Sequence, residues 1–289
     1  MSILTGLLIT IAQVASVAGC QNIDEIVASL DRDFREGQLA AAASKADLGL
    51  ACSNATVDQR VTLYLKLSGI HDRIGLHTNS RPVAAALESI EAAFSLADRA
   101  GPKALAAIDL AKARYHYRAE SSDSNYPLAR EYSLAALSQF EDQADFRGQA
   151  DAVHLIGLFH LQRRELTEAQ EYFDRSLRLE MQAGAPRPIF LADYERHTGY
   201  VHQWSGDLGS AIESFERSYD IRRKDGLIDQ SMFAAISLGR VLVHANRATE
   251  AKAPLAYALE IAEQLNSPEG RARAERILGD MHDQLPESQ

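Results

Sequence analysis

The nine histidines and two cysteines of this 289-residue chain are its best candidates for holding a metal or attacking a substrate. Their spacing supports neither role. There is no H-E-x-x-H pair, no C-x-x-C, no phosphate-binding G-x-x-x-x-G-K-[ST] loop, no G-x-G-x-x-G and no G-x-S-x-G elbow. His197 and His202 share one expected helix, but a spacing of five turns their rings away from a common ion. Two cysteines are too few for a four-thiolate zinc site or a disulfide-dense miniprotein. Cys52 has no base near it in sequence. The expectation is a protein that is not an enzyme and has no metal and no cofactor. Catalysis would need residues brought together from far along the chain.

The chemistry open to the cysteines is linkage, and it depends on the segment before Cys20. Residues 1–19 carry no charge, and the stretch 3–17 is mostly apolar. About 15 residues suit the core of a secretory signal and fall short of the ~20 needed to span a bilayer. Small residues follow at Ser16, Val17, Ala18 and Gly19, as cleavage requires. The basic leader is missing, since the first basic residue is Arg32. We read 1–19 as a signal peptide and the chain as exported to the periplasm, with no integral span in the mature protein.

Two fates of Cys20 then compete. Val17-Ala18-Gly19-Cys20 resembles a bacterial lipobox, which would lipidate Cys20 and anchor the protein to a membrane. Alternatively Cys20 pairs with Cys52. The segments 23–36 and 38–51 read as two helices of ~14 residues, each ~21 Å long. Two equal antiparallel helices return the chain to its start and set the cysteines side by side. That bridge would close a loop of about 30 residues, worth about 3–4 kcal/mol in the chain-entropy model. A lipidated thioether cannot pair, so the two readings exclude each other, and both place the protein outside the cytosol.

Composition narrows the class. With 46% hydrophobic and 24% charged residues the chain is globular rather than disordered. A formal charge of −10 argues against a nucleic-acid binder, which needs a basic footprint. A mean hydropathy of −0.22 excludes a polytopic membrane protein. The length suggests two domains unless the chain is a repeat, which has no single core to outgrow.

It is a repeat. The segments beginning at Leu128, Glu168, Ser210 and Glu250 align on Ala129, Ala169, Ala211 and Ala251, spaced by 40, 42 and 40. Four residues on stand Ser133, Phe173, Phe215 and Leu255; seven on stand Ala136, Ser176, Ser218 and Ala258. Twelve before each alanine come Tyr117, Gly157, Gly199 and Gly239, and Leu278-Gly279 starts one more unit. The alanine, the bulky residue and the second small residue share one helical face. A mid-helix glycine costs about 1 kcal/mol against alanine, so close approach of a second helix is its compensation.

This pattern resembles the tetratricopeptide repeat family: a small residue in one helix, then A-x-x-x-F-x-x-A in the next. The resemblance is clear over 103–282 and weak over 23–99. The period is about 40 rather than the familiar 34, similar to the long repeats of the kinesin light chain and certain bacterial regulators. The tryptophan position of the family is not kept, and Tyr117 replaces one glycine. The implied fold is all-α: a right-handed α-solenoid of about six antiparallel helix hairpins with a C-terminal capping helix, spanning 20–284, then a loose tail at 285–289. The expected helix pairs are 23–52; 57–76 with 82–100; 103–120 with 125–142; 146–163 with 166–183; 188–204 with 207–225; and 229–246 with 248–265. Ser267 should cap a last helix over 268–284, with Pro268 at its first position.

The resemblance also implies a binding face. In this family the first helix of each hairpin lines a concave groove, reached by residues three before and one after the repeat glycine. Here those columns read Arg114, His154, Arg196, Ile236, Arg276 and Arg118, Leu158, Tyr200, Arg240, Asp280. Gln203, Trp204 and His244 lie beside them, whereas His160 and His202 fall where family members pack between helices. Five of the ten column positions are arginine in an acidic protein, which would focus an anionic partner. Trp204 would offer an apolar anchor. The competing reading is that these arginines pair with acids on neighbouring units and hold only the fold. The expected function is a scaffold for a peptide or protein. A lipid-anchored sensor or envelope-assembly component docking on a membrane partner is the alternative. A small-molecule site would require a closed polar pocket of roughly 300 Å³ or more.

Overall fold

The computed structural model of the chain describes residues 20, 22–80, 83–119 and 126–282. The expected signal peptide, most of the turn after residue 119 and the tail lie outside the described residues. Among those described there are thirteen α-helices and no strand. They are α1 (Ile23–Arg35), α2 (Leu39–Ala51), α3 (Val57–Thr78), α4 (Ala84–Phe94), α5 (Pro102–Ala119), α6 (Pro127–Asp142), α7 (Phe146–Gln162), α8 (Leu166–Gln182), α9 (Pro188–Ser205), α10 (Leu208–Lys224), α11 (Ile228–His244), α12 (Ala248–Gln264) and α13 (Pro268–His282). Each odd-numbered helix up to α11 pairs with the next as an antiparallel hairpin, and α13 packs on α12, α11 and α3 with no further helix after it among the described residues. The fold is the expected α-solenoid.

Packing follows the repeat signature. Ala129, Ala169, Ala211 and Ala251 are fully buried, as are Ala136, Ser176 and Ala258. A methyl group on Gly157 would stand 2.7 Å from Phe173, one on Gly199 3.2 Å from Phe215, and one on Gly239 2.6 Å from Leu255. The glycine is therefore the socket for the bulky residue of the same hairpin. The first two units keep the buried small-residue face with less typical residues, and the close glycine contact there is made between units. Ala42, Ala46 and Gly49 on α2, and Ala86, Ile90 and Ala93 on α4, are buried at the corresponding places. Gly49 faces Leu63 of α3, where an added methyl would come within 2.8 Å.

Helix ends are set locally. Thr56 makes a reciprocal capping box with Gln59 at the start of α3. Ser267 accepts a hydrogen bond from the Gly270 amide at 3.1 Å, the cap expected for α13. One boundary differs from expectation. In place of a helix over 82–100, α4 stops at Phe94 and a 3-10 turn follows at Ala97–Arg99. The Ser95 hydroxyl donates to the Ala92 carbonyl at 2.7 Å, and Leu96 and Arg99 bond three residues back. This tightening ends the α-helical ladder.

At the N-terminal end Cys20 and Cys52 form a disulfide, with their Cα atoms 5.5 Å apart. It clips the open end of the α1–α2 hairpin. No described helix is long and apolar enough to cross a membrane.

The stack turns far enough to meet itself. α3 of the second unit packs on α13, and its Arg73 reaches Asp229 on α11 with an Nε–Oδ2 distance of 2.8 Å. His77, one turn further along α3, stands 5.5 Å from the Phe233 ring. The Gly37 turn lies against Leu265. The first helices of the units thus line a face that closes on itself between the second unit and the sixth.

Candidate functional site

The lining of that inner face comes from α3, α5, α7, α9 and α11, and it is charged. The regular repeat of the hairpins brings the same two columns of the first helix inward, so side chains spaced about 40 residues apart meet. Arg118 on α5 pairs with Asp72 on α3 at 2.5 Å. Arg114, one turn away, lies 3.4 Å from Asp151 on α7. Asp151 is gripped more firmly from the α8–α9 link, where Arg187 donates to both its oxygens at 2.9 and 3.2 Å. Arg187 also binds the fully buried carboxylate of Glu180. On α9, Asp193 serves two guanidiniums: Arg222 of α10 at 2.6 Å and Arg196 at 3.4 Å.

Sharing leaves Arg114 and Arg196 with long contacts, while Arg187 and Arg222 hold the short ones. Arg240 donates to the Tyr200 hydroxyl at 3.1 Å and lies over its ring. Burial works to raise the Tyr200 pKa, but Arg240 and Arg196 outweigh it and hold the phenol below its usual range. The sign of that shift marks a positive local field. Burial lowers Arg118 below its ordinary value, and Arg114 and Arg73 add repulsion against the attraction of Asp72. Burial likewise brings Arg222 down to about 10 despite Asp193.

The other expected groove residues differ in burial. His154 is buried: its Nε2 is 2.6 Å from His197 Nδ1 and its Nδ1 is 3.3 Å from Ser176 Oγ. Burial pushes the His154 pKa down to about 4 and puts His197 well below the ordinary histidine range. The pair is a neutral polar plug between α7 and α9 rather than a groove surface. Ile236 is also buried, and Leu158 is half-buried between two apolar clusters. Trp204 packs beside Leu161 and Phe173, with the Arg164 guanidinium 3.4 Å above its ring, so one face of the expected anchor is covered. Gln203 is half-buried near the same turn, and His244 and Arg276 are exposed. Among the described residues no three His, Cys, Asp or Glu side chains gather to hold a metal ion.

The structure therefore brings Arg196, Tyr200 and Arg240 into one group and sets Arg114 and Arg118 on the same lining. It also supplies residues that the sequence pattern did not identify: Asp72, Arg73, Asp151, Asp193, Arg222 and Asp229. Asp193 and Arg196 could be seen three apart on one helix. Arg222 meets Asp193 within the α9–α10 hairpin, and the others become partners only where units meet.

No protein-family model matches the chain, and no curated protein matches it. Solved structures do match in shape. NprR in complex with its cognate peptide NprX shares 15% identity at a TM-score of 0.63, over 92% of this chain and 74% of that one. A Rap protein complexed with Competence and Sporulation Factor shares 12% at a TM-score of 0.57, over 91% and 90%. BtubC from P. vanneervenii shares 17% at a TM-score of 0.50, over 93% and 96%. At such identities the likeness is one of fold, and the chain is a tetratricopeptide-like helical solenoid.

Proposed function

We propose that the protein is a non-enzymatic scaffold that binds an acidic peptide, or an acidic segment of a protein, along its inner face. The observation that carries this reading is the group Arg196–Tyr200–Arg240: Arg196 has a 3.4 Å contact with Asp193, which Arg222 holds at 2.6 Å, and Arg240 donates to the Tyr200 hydroxyl. A carboxylate-bearing ligand would complete that set with bidentate arginine contacts. Arg114 and Arg118 continue the same lining. Two fold neighbours, NprR and the Rap protein, have peptide or factor complexes, which supports a peptide as the occupant.

The Cys20–Cys52 bridge supports an oxidising compartment and, with the apolar segment 1–19, export to the periplasm. A lipid on Cys20 is the alternative only for molecules in which that bridge has not formed. The test of binding uses a fluorescein-labelled hexaglutamate and anisotropy. Wild type should bind, and Arg196→Glu with Arg240→Glu should abolish binding while far-ultraviolet circular dichroism stays unchanged. Equal affinity in the double variant would remove the inner arginines from the function.

A further inference from the structure

We propose that the Arg73–Asp229 contact is a releasable clasp that gates access to the inner face. This rests on the inner face being the binding surface; the clasp itself rests on separate residues.

The contact joins parts of the chain 156 residues apart. It is the polar centre of the seam where α3 of the second unit meets α11 and α13. Around it lie the His77 and Phe233 rings, 5.5 Å apart, Arg273 over Phe233, and the turn at Gly37 against Leu265 and Asp229. Asp229 is 1% exposed and Arg73 19%. Burial opposes both charges, yet each holds the other: Asp229 keeps the Arg73 pKa above its ordinary value, and Arg73 keeps the Asp229 carboxyl below its own.

Two features distinguish this seam from a permanent joint. Three hairpins inside the stack are sealed by apolar sockets: Gly157 against Phe173, Gly199 against Phe215 and Gly239 against Leu255. The seam instead has an ion pair at its centre, with the Phe233 ring and Leu265 beside it; an apolar pair of similar volume would often match or exceed such an ion pair in stability. The pair is also incompletely satisfied by the protein. Arg73 Nη2, Asp229 Oδ1 and both His77 nitrogens are buried without a hydrogen-bond partner, and His77 Nε2 stays 3.5 Å from Asp229 Oδ2. Parting the seam hydrates all of these groups, whereas parting an apolar seam would expose bare hydrocarbon. The closed and open forms are thereby brought near in free energy, the condition for a two-state element that a ligand can bias.

Arg73 also ties the clasp to the lining. It lies in the field of Asp193 and Asp72, the acids that hold Arg196, Arg222 and Arg118. An anionic occupant that drew on those arginines would free their acids to compete for Arg73. Occupancy of the groove and the state of the seam are therefore coupled through shared partners.

The test needs no ligand. Ser237 is buried on α11 with its hydroxyl 3.2 Å from the Tyr200 hydroxyl, so Ser237→Cys reports access to the lining. With the Cys20–Cys52 bridge oxidised, only this thiol reacts with a maleimide. Against the wild-type clasp, Arg73→Gln should raise the labelling rate at least tenfold with helicity unchanged. Arg73→Glu with Asp229→Arg should restore the slow rate. Arg73→Met with Asp229→Leu should slow labelling at least tenfold below wild type. A rate unchanged by Arg73→Gln overturns the clasp. If that variant loses helicity, the apolar pair decides: slower labelling supports the gate, and a wild-type rate overturns it. None of these rates depends on whether hexaglutamate binds, so failure of the binding reading leaves a separate record.

Discussion

Gly157 lies beneath the ring of Phe173, so close that an added methyl would fall 2.7 Å from the ring edge. The same relation recurs at Gly239 and Leu255, and more loosely at Gly199 and Phe215. Gly279 holds the equivalent place on α13, which no second helix follows among the described residues, and nothing described lies within 4 Å of the methyl it would gain.

One substitution should therefore have opposite signs at two repeat-equivalent positions. Gly157→Ala overpacks the Phe173 socket and should destabilise by about 1–3 kcal/mol. Gly279→Ala gains helix propensity with no clash and should stabilise by roughly 0.5–1 kcal/mol. Urea denaturation of the two variants beside wild type reads both. Equal effects would show that the glycines serve backbone freedom rather than close packing.

The buried His154–His197 pair should make the protein acid-sensitive in a defined window. Both pKa values are depressed in the folded state, His154 to about 4. Near pH 5 the unfolded chain thus binds more protons than the folded one, and stability falls as pH falls. The contribution is complete above about pH 6.5 and is lost toward pH 4, by about 1.4 kcal/mol per pH unit for each imidazole kept neutral. The depressed Asp193 and Asp229 carboxyls act only below their ordinary value of 3.8, outside this window. Thermal melts from pH 7.5 to 4.5 should show the decline, and His154→Gln with His197→Gln should flatten it. A parallel decline in that variant would place the sensitivity elsewhere.

Reduction should act on one end of the molecule. The Cys20–Cys52 bridge spans 32 residues and closes the α1–α2 hairpin. In the chain-entropy model its loss costs about 3–4 kcal/mol. Hydrogen exchange after reduction should rise first in α1 and α2 and least in α8 to α10. Intact mass of protein purified from cells tests the same bridge and the export proposal together. Cleavage near Gly19 with two protons gained on reduction is expected, whereas an acyl mass on Cys20 would replace the bridge with a lipid.

Much of the architecture was legible in the residues because the signal is periodic. From Ala129 onward the small–bulky–small face repeats so regularly that sockets and helix ends followed directly, including the Ser267 cap. The equal lengths of the first two helices were enough to bring Cys20 to Cys52. The early end of α4 was not legible, because it turns on one hydroxyl, that of Ser95, competing for a backbone carbonyl. The site was legible only in half. Arg114, Arg118, Arg196 and Arg240 stood out by column, but their acids Asp151, Asp72 and Asp193 come mainly from neighbouring units. His154 sat in the same column and turned out to be plugged against His197. Least legible was the meeting of Arg73 with Asp229, since it depends on small rotations summed over four units.

That meeting changes what kind of object the solenoid is. In an open array each unit answers only to its neighbours, so units can be added or deleted and ends can fray independently. Here the sum of the rotations must bring α3 back to α11, as the last stone of an arch must meet the first. The number of units is consequently fixed by geometry. An inserted hairpin would leave Arg73 facing the wrong helix, and loss of α13 would be felt by the second unit. Selection on any one hairpin angle is then selection on the whole circuit.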